Sequence, residues 1–276
     1  MKRVLIVGEG SYIGGAVRDY LNCYSDAYSV TMKKATGWRP QQEDFEGIDV
    51  VVNAAGIAHR KETKKNRHLY YEVNRDLAIT IAQRSKEAGV RQYILLSSMA
   101  VYGMTVGRIG KDTEVKPVNA YGKSKAEAEQ AIFKLSEGCF KFACLRPPMV
   151  YGKGCKGNYQ SLRKFALKSP IFPSYPNHRS MIFIGNLCGF IKNVIDEERS
   201  GILMPQNAEY VNTGDLVYRI SQMHGKKIRL TGAFNGVIRI LPLKILQKVF
   251  GSLVYDPVDT IELYSYEESV LLTEEE

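Results

Sequence analysis

Val4-Leu5-Ile6-Val7 is an uninterrupted apolar run of strand length, and a run apolar at every position suits a parallel strand covered on both faces. Similar runs return at Tyr28–Met32, Ile48–Asn53, Gln92–Leu96 and Phe140–Leu145. Between them the spacing turns helical, over Ala16–Leu21, over Tyr71–Ala88 with Gly89 as its stop, and from Tyr121 to about Ser136. Strand and helix in alternation predict an α/β fold, a doubly wound parallel sheet. Gly107–Val118 reads as a polar loop, and Arg60–His68 as a surface loop or helix start. After Tyr151-Gly152 the alternation loosens, with helices expected over Tyr159–Leu167, Leu187–Glu197 and Gly214–His224 and a strand over Ser180–Ile184. Pro170–Pro176 reads as irregular, and Leu203–Val211 as irregular or strand. The expected division is a sheet domain of residues 1–150, joined by about 181–200, and a smaller lobe of residues 151–276.

The first strand runs into Gly8-Glu9-Gly10-Ser11-Tyr12-Ile13-Gly14-Gly15 and then a helix. In that context glycines let the backbone approach a pyrophosphate, and the helix N-terminus presents N–H groups and partial positive charge to it. Gly8, Gly10, Ser11, Tyr12, Ile13 and Gly14 are therefore candidate cofactor contacts. The second strand is followed by Lys33-Lys34, with Arg39 nearby, where an NAD site usually carries an acid. Those cations suit a 2′-phosphate and hence NADP, or are solvated loop charges. Asn53-Ala54-Ala55-Gly56 ends the third strand with residues small enough for close cofactor approach, and Ser97-Ser98 sets two hydroxyls at a strand end, where open α/β sheets bind ligands, although serines also simply end strands.

In Tyr121-Gly122-Lys123-Ser124-Lys125 the phenol and the ammonium stand one helical turn apart on one face. A neighbouring ammonium favours phenolate, so the pair is a compact acid/base for a carbonyl or an alcohol; alternatively it is an ordinary exposed helix face. His59 and His68 lack metal-ligand spacing and are read as ordinary, and no metal is expected.

Composition narrows this only a little. A net charge of +9 fits an anionic substrate, nucleic acid or a membrane surface, but Arg60-Lys61, Lys64-Lys65 and Lys226-Lys227 are short clusters, which disfavours nucleic acid. Five cysteines without a C-x-x-C spacing read as reduced thiols. Met1-Lys2-Arg3 leads straight into a strand, so no leader and a cytoplasmic location are expected. No apolar run reaches the ~20 residues of a membrane span. Gly236–Phe250, interrupted by Arg239, Pro242 and Lys244, is expected to pack in the core of the small lobe, with a surface-lying amphipathic helix as the other reading. Glu274-Glu275-Glu276 reads as a solvated end.

Taken in order, these motifs resemble the extended short-chain dehydrogenase/reductases, in the NAD-dependent sugar-nucleotide epimerase/dehydratase group and UDP-glucose 4-epimerase-like, from Lys2 to about Leu187. Gly8-x-x-Ser11-x-x-Gly14 is similar to the family's Gly-x-x-Gly-x-x-Gly, with Ser11 in place of the middle glycine. Ser98-Met99-Ala100-Val101-Tyr102-Gly103 resembles Ser/Thr-x-x-Val-Tyr-Gly, and Arg146-Pro147-Pro148-Met149-Val150-Tyr151-Gly152 resembles Arg-Pro-x-x-Val-Tyr-Gly.

The resemblance implies a Rossmann-like domain with a smaller C-terminal substrate-binding lobe. It implies Ser98, Tyr121 and Lys125 as catalytic residues, with Ala54, Ala55, Gly56, Asn74, Ser97, Tyr121, Lys125 and Pro148 joining Lys33 and the glycine turn around NAD, NADP being possible. Ser98, Met149, Asn158 and Arg179 would face a UDP-sugar, and a homodimer is possible. The implied activity is epimerisation at C4 through a transient 4-keto sugar. An NADPH-dependent UDP-4-keto-sugar reductase and a non-catalytic dinucleotide-binding redox sensor are the alternatives. A 4,6-dehydratase is disfavoured, because Met99-Ala100 offers no acidic pair. The resemblance also suggests surface-polysaccharide synthesis.

Overall fold

The computed structural model describes residues 1–58, 62–241 and 243–275. The readings that fall on His59, Arg60-Lys61, Pro242 and Glu276 lie outside the described residues. The chain forms two compact units: Met1–Gly103, Val115–Pro147 and Leu187–Pro205 make the first, and Met104–Glu114, Pro148–Asn186 and Gln206–Glu276 the second.

The first unit is built on six parallel strands, β1 (Lys2–Val7), β2 (Tyr28–Lys33), β3 (Val50–Asn53), β4 (Gln92–Leu96), β5 (Lys141–Leu145) and β6 (Gly201–Leu203), in the spatial order β2-β1-β3-β4-β5-β6. Every residue of β3 and β4 is buried, as the continuous apolar runs require. The helices of this unit are α1 (Tyr12–Asn22), α2 (Arg67–Tyr71), α3 (Leu77–Glu87), α4 (Ala120–Phe133) and α5 (Ile184–Asp196), whose residues from Leu187 onward belong to it. Ala78, Ile81 and Ala82 of α3 and Ala128 and Ile132 of α4 pack on Val51, Tyr93, Leu95 and Phe142. Strand order reverses at β1, with β2 on one side and β3 on the other. Such a switch opens a crevice beyond the carboxyl ends of the strands, which is where a doubly wound sheet binds its ligand.

The second unit holds four parallel two-stranded pieces, pairing Gly107–Ile109 with Leu253–Tyr255, Met149–Tyr151 with Met181–Phe183, Ile171–Pro173 with Arg229–Thr231, and Gln206–Asn207 with Thr260–Ile261. Its helices are Asn158–Lys168, Thr213–Met223, Asn235–Ile240, Lys244–Phe250 and Tyr266–Glu274.

Several expectations change. Part of the expected polar loop, Gly107–Ile109, is a strand because a partner 146 residues on, Leu253, pairs with Gly107; local sequence carries no trace of that pairing. Ile171–Pro173, read as irregular, is a strand for the same reason. The expected helix Tyr71–Ala88 starts earlier, at Arg67, and is interrupted by a π-turn over Glu72–Asp76. The stretch read as small-lobe core, Gly236–Phe250, forms two short helices that leave Val237, Ile240, Leu241, Leu243 and Ile245 exposed, while Phe250 is buried. The acidic end is not simply solvated: Glu274, 7% exposed, accepts hydrogen bonds from Tyr159 Oη at 2.8 Å and Arg163 Nε at 2.7 Å and meets His224 Nε2 at 2.7 Å.

Candidate active site

β4 delivers Ser97 and Ser98 to the carboxyl edge of the sheet. Ser98 caps a single 3-10 turn, Met99–Tyr102, its Oγ accepting from the Ala100 amide at 3.1 Å. Gly103 closes that turn at φ +67°, where an added Cβ would lie 2.0 Å from the Lys116 carbonyl oxygen, so only glycine fits. The first turn of α4 then packs on the Ser98 turn. It can do so because residue 122 is glycine: a Cβ there would lie 2.6 Å from the Ala100 carbonyl oxygen. Asn119 caps α4, its Oδ1 accepting from the Gly122 amide at 2.8 Å. With both turns fixed, the Ser98 hydroxyl lies close enough to the Tyr121 phenol to act on its ionisation.

Lys125 follows one turn later and is 3% exposed. Its Nζ donates to the Leu96 carbonyl at 2.7 Å. It also lies over Gly56, where a Cβ would come within 3.2 Å of both Lys125 Nζ and Asn74 Oδ1. Asn74 is wholly buried in the π-turn, a feature found frequently at functional sites. Its Oδ1 accepts from the Ile57 amide at 2.7 Å, and its Nδ2 donates to the Ile57 carbonyl at 3.1 Å and to Ser124 Oγ at 3.2 Å. Asn74 therefore ties the turn after β3 to the helix carrying Tyr121, and its amide is used in doing so. Asn53 shapes the same turn, accepting from the Ala55 amide at 3.0 Å.

Burial pushes the Tyr121 phenol above its ordinary value; the Ser98 hydroxyl opposes this and Tyr70 adds to it. Burial also brings the Lys125 ammonium down to about 8. The expected lowering of the phenol by Lys125 is thus not the direction found for the protein by itself. Desolvation is the largest cause and Lys125 is not among the others; its ammonium is held on the Leu96 carbonyl.

A further turn along α4, Glu129 sits 3% exposed against Arg146, 5% exposed. Arg146 Nη2 lies 2.5 Å and Nε 3.1 Å from Glu129 Oε2, and Arg146 Nη1 donates to Tyr102 Oη at 2.8 Å. Ser97 Oγ donates to Glu129 Oε1. This buried ion pair fastens the strand-end serines, the Tyr102 turn and the helix into one body. Ser97 is spent on that network.

The glycine turn meets the β3 turn at the switch point. Gly8 sits at φ +122°, and a Cβ there would lie 2.9 Å from the backbone of Ala54 and Ala55. Gly10, at φ +82°, borders open space. Ser11, which stands where the family pattern has glycine, is the N-cap of α1, its Oγ accepting from the Gly14 amide at 3.0 Å. A Cβ on Gly14 would strike that oxygen at 2.6 Å. Tyr12 and Ile13 open the helix. Gly8, Gly10 and Gly14 thus keep clear a cradle over a helix N-terminus, and these residues fit a dinucleotide. At the end of β2, Lys33 Nζ is 3.0 Å from Asp44 Oδ1 and 5.1 Å from the Trp38 ring, so this cation already has an ion pair.

The remaining predicted residues lie in the second unit. Pro148 precedes the strand that Met149 opens, and Asn158 is the exposed first residue of its helix. Arg179 is half-buried, its Nη1 donating to the Gly251 carbonyl at 2.8 Å. Among the described residues no group of three or more His, Cys, Asp or Glu could hold a metal ion. Gly122, Ser124 and Glu129 went unread as site residues. Glycine inside a helix costs ~1 kcal/mol against alanine and so signals a packing reason. Glu129 stands one turn beyond Lys125 on the same face, but nothing local points to Arg146 as its partner.

The family model described as "NAD dependent epimerase/dehydratase family" matches residues 4–168. The chain is 31% identical over 193 residues to a UDP-glucose 4-epimerase of Vibrio cholerae, covering 64% of this chain and 59% of that enzyme's length. It is 26% identical over 244 residues to the N-acetyl-alpha-D-glucosaminyl-diphospho-ditrans,octacis-undecaprenol 4-epimerase of Escherichia coli O157:H7, covering 82% of this chain and 73% of that one. Among solved structures, a UDP-glucuronic acid 4-epimerase from Bacillus cereus in complex with NAD shares the fold at a TM-score of 0.77 and 15% identity, over 98% of this chain and 96% of that one. A dTDP-4-dehydrorhamnose reductase from Bacillus anthracis str. Ames in complex with NADP does so at 0.76 and 17%, over 99% and 98%.

Proposed function

The chain belongs to the NAD dependent epimerase/dehydratase family, and from that premise we propose that it is a sugar-nucleotide epimerase, inverting C4 of a UDP-sugar through a transient 4-keto form. The observation that carries this is the Tyr121–Ser98 hydroxyl pair at the carboxyl end of β4, with Lys125 one turn away against the Gly56 cradle. Gly8, Gly10 and Ser11 with the N-terminus of α1 would hold the pyrophosphate of NAD, Lys125 its ribose, and Ala54–Gly56 the face near the nicotinamide. Bound there, NAD supplies reversible hydride transfer.

Tyr121 Oη takes the proton from the sugar 4-hydroxyl and gives it back to the same oxygen after the 4-keto sugar has turned its other face to the cofactor. Ser98 Oγ steadies the charge on that oxygen by hydrogen bonding. Lys125, with its value near 8, is a cation at neutral pH and favours the phenolate once substrate and cofactor have displaced water. Lys33's bond to Asp44 removes one of the cations on which a 2′-phosphate preference would rest, which supports NAD over NADP.

The test uses purified protein with UDP-glucose or UDP-N-acetylglucosamine and no added cofactor, with products resolved by anion-exchange chromatography. The C4 epimer should form, and denatured protein should release NAD in near-equal amount. An empty protein that reduces a 4-keto sugar only with added NADPH would establish the reductase instead.

A second substrate reading is a sugar carried on a lipid diphosphate, because the relative acting on such a substrate matches more of this chain than the Vibrio cholerae enzyme does. Epimerisation of the lipid-linked sugar with no turnover of either UDP-sugar would select it.

A further inference from the structure

The segment from Lys226 to Leu253 combines two properties that rarely coincide on a protein surface. It contains Lys226, Lys227, Arg229, Arg239, Lys244 and Lys248 and no aspartate or glutamate. It also leaves large apolar side chains in solvent: Val237 is 54% exposed, Ile240 78%, Leu243 51% and Ile245 69%.

These residues do not line the interior of the second unit. The two short helices Asn235–Ile240 and Lys244–Phe250 turn Ile238 and Leu246 into a groove of about 350 Å³ that they share with Tyr175 and Pro176. Phe250 anchors the pair, its ring 5.6 Å from that of Phe172. The outward apolar residues are left over once this packing is complete. Scattered exposed apolar residues need no explanation, but several within nine positions of a segment whose charged residues are all cations do.

We propose that this face lies on an anionic phospholipid bilayer, with Val237, Ile240, Leu243 and Ile245 entering the headgroup boundary and Arg239 and Lys248 meeting lipid phosphates. Charge decides between the possible occupants. A second copy of the chain docking through the same face would set this cation set against itself, with no acid in the segment to relieve it. An anionic surface complements it, and the protein's net charge of +9 adds to the attraction. The attachment is peripheral: among the described residues no helix is long and apolar enough to cross a membrane.

Flotation of the full chain with vesicles tests this without reference to turnover, so its outcome is separate from that of the epimerase reading. Wild-type protein should float with phosphatidylcholine–phosphatidylglycerol vesicles, float poorly with phosphatidylcholine alone, and be released by high salt. Ile240→Ser combined with Ile245→Ser, and separately Arg239→Gln combined with Lys248→Gln, should each lower the floated fraction by about tenfold, with unchanged melting curves. Failure of the wild type to float with the anionic vesicles would overturn the proposal. So would equal flotation of all variants, or a dimer in sedimentation that the isoleucine substitutions dissociate while flotation is unaffected.

Discussion

Two helical regions of this protein reverse the usual relation between composition and burial. α4 is rich in small and polar residues, yet buries Ser124, Lys125 and Glu129 along with Ala120, Gly122, Ala128 and Ile132. The helix pair over 235–250 is dominated by valine, isoleucine and leucine, yet turns much of that surface to solvent. Buried polar groups and exposed apolar clusters are the informative exceptions to inside-outside patterning. In α4 each buried polar group has a counterpart: Ser124 with Asn74, Lys125 with the Leu96 carbonyl, Glu129 with Arg146. The cost of burying them is offset by those partners, and what results is a fixed helix face carrying Tyr121 and Lys125. In the 235–250 pair the apolar excess has no counterpart of that kind among the described residues of its own unit.

The most severe way to break the comparison is chemical. Tyr121→Phe should lower turnover by about 10²–10⁴-fold, read from initial rates, while costing no more than about 1 kcal/mol of stability for the lost hydroxyl. Activity near that of the wild type would show that the buried polar face of α4 is structural only.

Next in size is the ion pair below it. Arg146→Met leaves Glu129 buried without its counter-ion, with only the Ser97 hydroxyl, and should cost about 3–5 kcal/mol in urea unfolding. Adding Glu129→Leu should recover most of that loss, because two apolar groups then replace two charges. A milder disturbance comes at Gly122→Ala, where the new Cβ must displace the Ala100 carbonyl. Stability should fall by about 1–3 kcal/mol, and the fall in kcat should exceed that in an exposed control such as Lys123→Ala, because Ser98 moves away from Tyr121.

A titration sharpens the contrast further. Burial depresses Lys125 from 10.5 to about 8. Between those values the unfolded chain holds a proton that the folded chain does not, so stability rises with pH across that window, and below about 8 the burden of the buried ammonium is fully present. Lys125→Met removes the group, so the melting temperature of the wild type relative to the variant should climb as pH goes from about 8 to 10.5 and stay level below it. The smallest effect belongs to the other region. Ile240→Ser should change stability by less than about 0.5 kcal/mol, measured by thermal melting, since the side chain is 78% exposed.

Much of the sheet was legible because β1, β3, β4 and β5 are largely apolar runs, and period and length are local properties; β6 (Gly201–Leu203) was not read as a strand. The Tyr121–Lys125 spacing and the Gly8–Gly14 turn were legible for the same reason. Asn74 was visible as a position but not as a clamp, since its partners Ile57 and Ser124 are 17 and 50 residues away. In the second unit a strand such as Met181–Phe183 was legible within Ser180–Ile184, but its pairing was not, because half of each parallel pair lies far along the chain. The segment 235–250 was misjudged as core because hydrophobicity reports an apolar side chain's preference for leaving water, not what is available to receive it.

The sequence by itself determined the alternating strands and helices, the glycine cradle and the set Ser98, Tyr121 and Lys125, all written within short windows where sterics and periodicity act. Tertiary structure alone decided the direction of the Tyr121 and Lys125 shifts, the pairing of Glu129 with Arg146, and which apolar residues stay in water. Burial and distance between groups remote in sequence are set only when the chain has folded, and electrostatic cost depends on both.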